Sequence, residues 1–324
     1  MGSKSASAIR ILGTCAVLWS CLAPAADTYP AKPVHVIVPA GAGGGDDFVA
    51  RLVASKMAEI LGQQFVVENR PGAGGSIGQT QVAKSAPDGY TLLLAGGSMA
   101  GAKYVNASIT YDLQRDFTPI SLIETSPFAL VASKTLPANN AKELVALGKS
   151  RPGKMTFGTL GPGQIPYWSA VLFNSSAGFE ATEVPYKTAP EAVIDVIAGR
   201  VDYNFTPVVV ALTNKDKLRI LAVTTSYRSE MMPEVPTLAE AAGLPGYEMP
   251  SWRGYMGPAG MSREVVTTLN AAMVRALAAP DVREKFTKAG SVPSSSTPEE
   301  LRKRYEDWSV IFGKIAKGAG LKPM

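Results

Sequence analysis

The sequence VHVIVPAGAGGGDDFVAR, residues Val34–Arg51, contains three structural signals in succession. An apolar β-strand over Val34–Val38 is followed by a glycine-rich turn, and Asp46 and Asp47 then open an amphipathic helix. The first backbone N–H groups of a helix have no partner within the helix, so a turn of this kind directs several donors at one point. The stretch therefore predicts a site for an anion or for a polar group of a ligand.

A second glycine turn has the same character. It reads GTLGPGQIPYW at Gly158–Trp168 and follows another apolar strand. Two such turns in a chain that also begins with a secretion signal predict a binding protein that closes two lobes over a small molecule.

Residues 1–25 have the order of a secretory signal peptide. Lys4 and Arg10 supply a basic start, and the apolar run Ile11–Leu22 is too short to span a bilayer comfortably. Small residues then lead to a cleavage site after Ala25, which predicts a mature protein in the periplasm. A lipoprotein anchored at Cys21 is the alternative, but a bulky tryptophan fits the required motif poorly.

The composition excludes several functional classes. The chain is 46% hydrophobic and 18% charged, which is ordinary for a globular protein large enough for two α/β lobes. Both cysteines lie in the signal, so the mature chain has no thiol chemistry, disulfide or cysteine metal ligand. Removal of the signal leaves 30 basic and 27 acidic residues, a net charge of +3, without the basic block that nucleic-acid binding needs. With a single histidine, we expect no metal and no cofactor.

Apolar runs alternate with helical patterns along the chain, which is typical of an α/β protein with mostly parallel sheets. Consecutive apolar strands on either side of Pro127 indicate a first crossing between lobes, and the proline- and glycine-rich Thr225–Pro250 indicates the return. We therefore expect one lobe to contain residues 26–126 and 226–324, and the other to contain residues 127–225.

Eight ordered segments match one protein family. They are IVPAGAGGGDDFVARL (Ile37–Leu52), VVENRPGAGGSIG (Val66–Gly78), APDGYTLLL (Ala86–Leu94), YDLQRDFTPISLI (Tyr111–Ile123), FGTLGPG (Phe157–Gly163), VPYKTAPEAVIDVIAGRVD (Val184–Asp202), Leu221–Gly243 and SWRGYMGPAG (Ser251–Gly260). In these segments the chain resembles the substrate-binding proteins of tripartite tricarboxylate transporters, the Bug-type family.

The resemblance implies a type II periplasmic binding protein, in which each of two lobes is a mixed sheet flanked by helices and the ligand cleft lies between them. Members usually capture small carboxylates, held mainly by backbone N–H groups and ordered waters. We accordingly expect a monomer that delivers its ligand to membrane transporter subunits; the same recognition could instead serve a signalling partner.

The family's ligand loops correspond to Ala40–Asp47, Thr159–Tyr167 and Lys187–Pro190. The candidate ligand-binding residues are Ala40, Gly43, Gly44, Gly45, Asp46, Asp47, Ser98, Thr159, Gly161, Gly163, Gln164, Tyr167, Thr188, Ala189 and Thr206. The chain departs from the family at several of these positions; Asp46, for example, stands where serine or threonine is usual.

Asp46 raises a question of selectivity, because a carboxylate facing the cleft would repel a ligand carboxylate. Either Asp46 accepts a hydrogen bond from an amino or hydroxyl group of the ligand, or it turns away and offers only its N–H. We favour the first arrangement, with a less anionic or ring-bearing ligand near Tyr167. The alternative function is a secreted enzyme that uses Asp46 or Asp47 as a general base.

Two segments resemble a cofactor-binding or catalytic motif in their residue letters but lack other features that the motif requires. The first glycine turn lacks the third glycine of a dinucleotide fingerprint, since Asp46 occupies that position. Gly74–Gly78 has the letters of a hydrolase nucleophile elbow, but it follows a Pro-Gly turn and the only histidine, His35, lies inside the first strand.

Overall fold

The structure, a computed structural model, describes residue 2, residues 29–161 and residues 163–323. The predicted signal peptide, with its cleavage site at Ala25 and the alternative anchor Cys21, lies outside the described residues except for Gly2. Within the described part, no helix combines the length and the apolar character needed to cross a membrane.

The described residues form eleven strands and ten α-helices. The strands are β1 (Val34–Val38), β2 (Phe65–Asn69), β3 (Thr91–Gly96), β4 (Phe117–Ser126), β5 (Phe128–Ser133), β6 (Met155–Thr159), β7 (Ala181–Pro185), β8 (Tyr203–Pro207), β9 (Leu218–Val223), β10 (Ser251–Pro258) and β11 (Val292–Pro293). The helices are α1 (Gly45–Leu61), α2 (Ser76–Ala83), α3 (Ala141–Ser150), α4 (Ile165–Ala177), α5 (Ala189–Ile197), α6 (Val208–Thr213), α7 (Leu238–Ala242), α8 (Arg263–Ala278), α9 (Pro280–Lys288) and α10 (Pro298–Gly318). The strand predicted over Val34–Val38 and the helix predicted after it are present as β1 and α1.

The larger sheet has the strand order β11-β4-β10-β3-β1-β2. Strand β1 pairs in parallel with β2 and β3, whereas β10 runs antiparallel between β3 and β4. The chain therefore leaves this sheet after β4 and returns to it with β10, so that both ends of the described chain contribute strands.

The smaller sheet has the order β7-β6-β8-β5-β9. Strand β6 is parallel to β7 and β8, but β5 is antiparallel to both of its neighbours. Only Pro127 separates β4 from β5, so the chain passes directly from one sheet into the other. Both sheets are thus mixed and flanked by helices, which confirms the predicted fold class.

The two sheets are tied together by more than the backbone crossings. At the crossing, the N–H of Phe128 donates to Thr224 Oγ1 over 3.1 Å, and the N–H of Met249 donates to the Thr224 carbonyl over 2.9 Å. On the outside, α10 packs against α4, with the rings of Trp168 and Phe312 centred 4.5 Å apart. The smaller sheet's α4 is therefore held against the C-terminal helix.

Candidate ligand-binding site

A cavity of about 170 Å³ lies where the two sheets meet. Its lining comes from both sheets: Asp46, Gly96, Gly97, Ser98, Ser251, Trp252 and Arg253 from the larger side, and Phe128, Gly158, Thr159, Leu160, Gln164, Ile165, Pro166, Ala189, Ala192, Asn204, Phe205, Thr206 and Pro207 from the smaller side. Among these described residues, Asp46 and Arg253 are the only charged ones. A mostly apolar lining with a few polar groups is typical of small-molecule sites.

Helix α4 begins at this cavity without a side-chain cap. Gln164 occupies the capping position, but its side chain makes no capping hydrogen bond, and the first intrahelical bond runs from the N–H of Trp168 to the Gln164 carbonyl. Gly163, just before it, has φ of 94°, a left-handed conformation that favours glycine and turns the chain into the helix. Pro166 has no N–H, so the start of α4 offers the N–H groups of Ile165 and Tyr167, together with the positive end of a helix dipole.

Two buried side chains on β8 lack hydrogen-bond partners among the described residues. Asn204 is 3% exposed and Thr206 is 1% exposed, and neither Asn204 Oδ1 nor Thr206 Oγ1 is bonded. Because they are two residues apart on one strand, both face the same side of the sheet, and both line the cavity. A buried polar atom without a partner costs about 1–3 kcal/mol, and a ligand that bonds these atoms would recover part of that cost.

Arg253 links two carboxylates at the opposite wall. In β10 it lies in register between Gly96 of β3 and Glu124 of β4. Its Nε donates to Asp46 Oδ1 over 2.5 Å, and its Nη1 donates to Glu124 Oε1. Burial disfavours the charged guanidinium, but the attraction of Asp46 and Glu124 outweighs it and raises the pKa of Arg253. The three side chains form one salt-bridged network, the Asp46–Arg253–Glu124 cluster.

The first glycine turn faces a different groove. Gly43, Gly44 and Asp47 border a surface groove between α1 and α9 rather than the cavity. Gly43 has φ of 80°, and its N–H donates to Asp47 Oδ2 over 3.0 Å. Hydrogen bonds from the Arg51 side chain and from this N–H lower the pKa of Asp47 to about 2. Asp47 thus holds its own turn together, and a carboxyl group this acidic is a weak general base.

The other candidates divide between the cavity and its surroundings. Six line the cavity: Asp46, Ser98, Thr159, Gln164, Ala189 and Thr206. Ala40 borders an adjoining groove of about 300 Å³ that shares Asp46, Ser98, Gln164 and Arg253 with the cavity.

Thr159 lines the cavity mainly with its backbone, and Gly45, Gly161, Gly163 and Thr188 are not part of the lining. The Thr159 hydroxyl donates to Glu183 and accepts from the N–H of Gly161 over 3.0 Å, so Thr159 offers the cavity little more than its backbone. Thr188, which precedes α5, donates its N–H to Glu191 Oε2 over 3.3 Å. Gly45 lies beside the Arg253 guanidinium, and Gly163 turns the chain into α4.

Tyr167 is buried away from the cavity. It borders a separate groove next to Phe157 and Glu183, and its ring meets that of Trp168 edge to face at 5.6 Å. Pro166, at the preceding position, occupies the cavity side of the helix start instead.

Several lining residues were not among the candidates. The most important are Arg253, Trp252 and Asn204, together with Gly96, Gly97 and Phe128. Two carried a usable signal in the sequence: Arg253 is a charged residue inside an otherwise apolar strand, and Asn204 is an amide between Tyr203 and Phe205. Within residues 29–161 and 163–323, no group of three histidine, cysteine, aspartate or glutamate side chains is arranged to hold a metal ion.

A sequence model described as the tripartite tricarboxylate transporter family receptor matches residues 49–321. The chain belongs to this family. Its fold agrees, since solved structures of periplasmic binding proteins such as BugD superpose on most of the chain.

Three similar proteins illustrate the likeness. Protein BugT of Bordetella pertussis is 36% identical over 301 residues, which cover 92% of this chain and 92% of BugT. The structure of Rpa4515 from R. palustris with adipate has a TM-score of 0.78 and 34% identity, and covers 91% of this chain and 100% of that one. The structure of MatC from Rhodopseudomonas palustris with bound malate has a TM-score of 0.75 and 32% identity, and covers 89% and 100%. The family and these neighbours are solute-binding proteins.

Proposed function

We propose that this receptor captures a small organic acid, or a related polar metabolite, in the periplasm by closing two lobes over it. The observation that carries the proposal is a cavity lined from both sheets, with the uncapped start of α4 and two unpartnered buried side chains facing it. Adipate and malate bound to the two R. palustris proteins support a carboxylate ligand. The chain performs no chemistry on its ligand.

The lobes of this proposal are residues 26–126 with 226–324, and residues 127–225. They open and close about the crossings near Pro127 and Thr224, and each contact that spans the cavity favours the closed state. We further propose that residues 1–25 are removed, that the mature protein is a monomer, and that it passes its ligand to the membrane subunits of a tripartite transporter.

Calorimetry on the mature protein tests the binding step. The probes are small carboxylates, from mono- to dicarboxylates and amino acids, together with any compound that mass spectrometry identifies in natively purified protein. We expect at least one to bind, to be recovered unchanged, and to compact the protein in small-angle scattering. If none binds to folded protein, or if the bound compound is converted to product, the proposed function is wrong.

Replacing each of two alanine residues by leucine tests where the ligand binds. Ala189→Leu narrows the cavity at the start of α5, where the residue is only half-buried, and we expect it to weaken binding at least tenfold. Ala58→Leu makes the same change at a half-buried position of α1 that does not line the cavity, and affinity should be retained. Equal affinities in the two variants would place the ligand elsewhere.

A further inference from the structure

The wall of the cavity formed by the Asp46–Arg253–Glu124 cluster carries an excess of negative charge. One guanidinium lies between two carboxylates. Glu124 is 1% exposed, and a carboxylate this deeply buried needs the cation beside it. The Asp46 side chain is 37% exposed and lines the cavity, so the surplus charge lies where a ligand makes contact. The start of α1 offsets only part of it.

The opposite wall is uncharged and rich in groups that can donate. The Thr206 hydroxyl is free to donate, and the Asn204 amide presents its NH₂ group after a half-turn of its terminal torsion. Helix α4 begins at the same wall, where Ile165 supplies a backbone N–H and Pro166 supplies none. A carboxylate satisfies donors of this kind, and the positive end of the helix favours it.

We propose that the cavity takes a zwitterionic amino carboxylate, whose ammonium group donates to Asp46 and whose carboxylate accepts from Asn204, Thr206 and the start of α4. This inference rests on the proposed function and narrows its ligand class. A dicarboxylate would bring its second anion against Asp46, and the Arg253 guanidinium that would attract this anion is already bonded to both Asp46 and Glu124. A simple monocarboxylate would leave the surplus negative charge of the cluster without a counter-charge in the closed cavity.

Matched pairs of ligands test the inference by calorimetry. Each pair has the same spacer and differs only in one end: malonate and glycine, succinate and β-alanine, glutarate and γ-aminobutyrate, adipate and δ-aminovalerate. At the spacer length that binds best, we expect the amino member to bind at least tenfold more tightly than the dicarboxylate, a difference of about 1.4 kcal/mol. Asp46→Asn should reverse that order, since it removes the charge and keeps the shape.

The outcomes separate the inference from the function on which it rests. If dicarboxylates bind the parent as well as or better than their amino partners, the inference is wrong and the proposed function stands. If γ-hydroxybutyrate binds as tightly as γ-aminobutyrate, Asp46 does not bind an ammonium group. The same conclusion follows if Asp46→Asn leaves the affinity for the amino ligands unchanged. If no carboxylate or amino acid binds to folded protein, both are overturned.

Two further variants control for a general effect of charge and for poor folding. Asp281→Asn makes the same charge change at the start of α9, where Asp281 pairs with Lys56 outside the cavity, and affinities should stay within about twofold. Asp46→Thr restores a hydroxyl at the start of α1 and should reverse the preference as Asp46→Asn does, so that poor folding of one variant does not decide the result.

Discussion

Replacing Arg253 by methionine should destabilise the protein far more than the loss of an ordinary surface ion pair. The substitution leaves Glu124, which is 1% exposed, as a buried carboxylate without its cation. Removing one partner of a buried pair costs about 3–5 kcal/mol. Asp46 adds little to this loss because water reaches its side chain. Since domains of this kind are stable by about 5–15 kcal/mol in total, the effect is a large fraction of the free energy of unfolding.

The assay is urea-induced unfolding at pH 7, followed by far-UV circular dichroism. Arg115→Met is the matched control, because Arg115 is 74% exposed and pairs only with its neighbour Asp116. An exposed pair of this kind contributes about 1 kcal/mol or less. The predicted difference between the two variants is therefore at least about 2 kcal/mol.

A double variant isolates the buried charge as the cause. Glu124→Gln combined with Arg253→Met replaces the unpaired carboxylate by a neutral amide, and it should be more stable than Arg253→Met alone. The reasoning is refuted if Arg253→Met costs no more than Arg115→Met, or if the added Glu124→Gln brings no recovery. Either result would mean that water screens Glu124 in spite of its burial.

Further predictions concern the first glycine turn, the α4–α10 contact and the N-terminus. The hydrogen bond from Arg51 is the main reason that the pKa of Asp47 is lowered from 3.8 to about 2 in the folded protein. Asp47 therefore stabilises the fold above pH 4, and this stabilisation is lost as the pH falls towards 2. Asp47→Asn should thus cost about 1–2 kcal/mol at pH 7 and little near pH 2 in urea titrations, and a pH-independent difference would contradict this. Gly101→Ala places a methyl group 2.8 Å from the Trp168 ring and 2.9 Å from the Phe312 ring, and should lower the free energy of unfolding by about 1–3 kcal/mol. Gly41→Ala is the control, because its methyl group meets nothing within 4 Å, and it should be nearly neutral in the same assay. Intact mass spectrometry of periplasmic protein should give a chain that begins near Ala26; a lipid-modified cysteine at the N-terminus would contradict simple cleavage.

The sequence predicts the elements of this fold well because their signals are local. The run Val34–Val38 is apolar except for His35, and Thr297-Pro298 with Glu300 supplies a complete capping box for α10. In each case the deciding interactions lie within a few residues, so a short window of sequence contains them. The same holds for Gln164 and Ala189, which reach the cavity because the helices that they open point at it.

The ion pairs of the site cannot be predicted from a short window of sequence. Arg253 and Asp46 are 207 residues apart, and they meet only because β10 inserts antiparallel between β3 and β4. No local pattern specifies that insertion. At the first glycine turn a local bond competes instead: the N–H of Gly43, predicted to face a ligand, donates to Asp47 four residues later.

The aromatic contact between α4 and α10 belongs to a longer chain of rings. Three of the four tryptophans of the sequence, Trp168, Trp252 and Trp308, lie in this chain, in which the centroid of Phe312 is 4.5 Å from that of Trp168 and 5.4 Å from that of Trp308. Trp252 also lines the cavity, and Trp168 is in the first turn of the helix that opens onto it. The fourth, Trp19, leaves with the signal peptide in the proposed mature protein. The tryptophan fluorescence of that protein therefore originates where the two sheets meet, which is the region that ligand binding would rearrange. Binding can then be followed by intrinsic fluorescence without an added label.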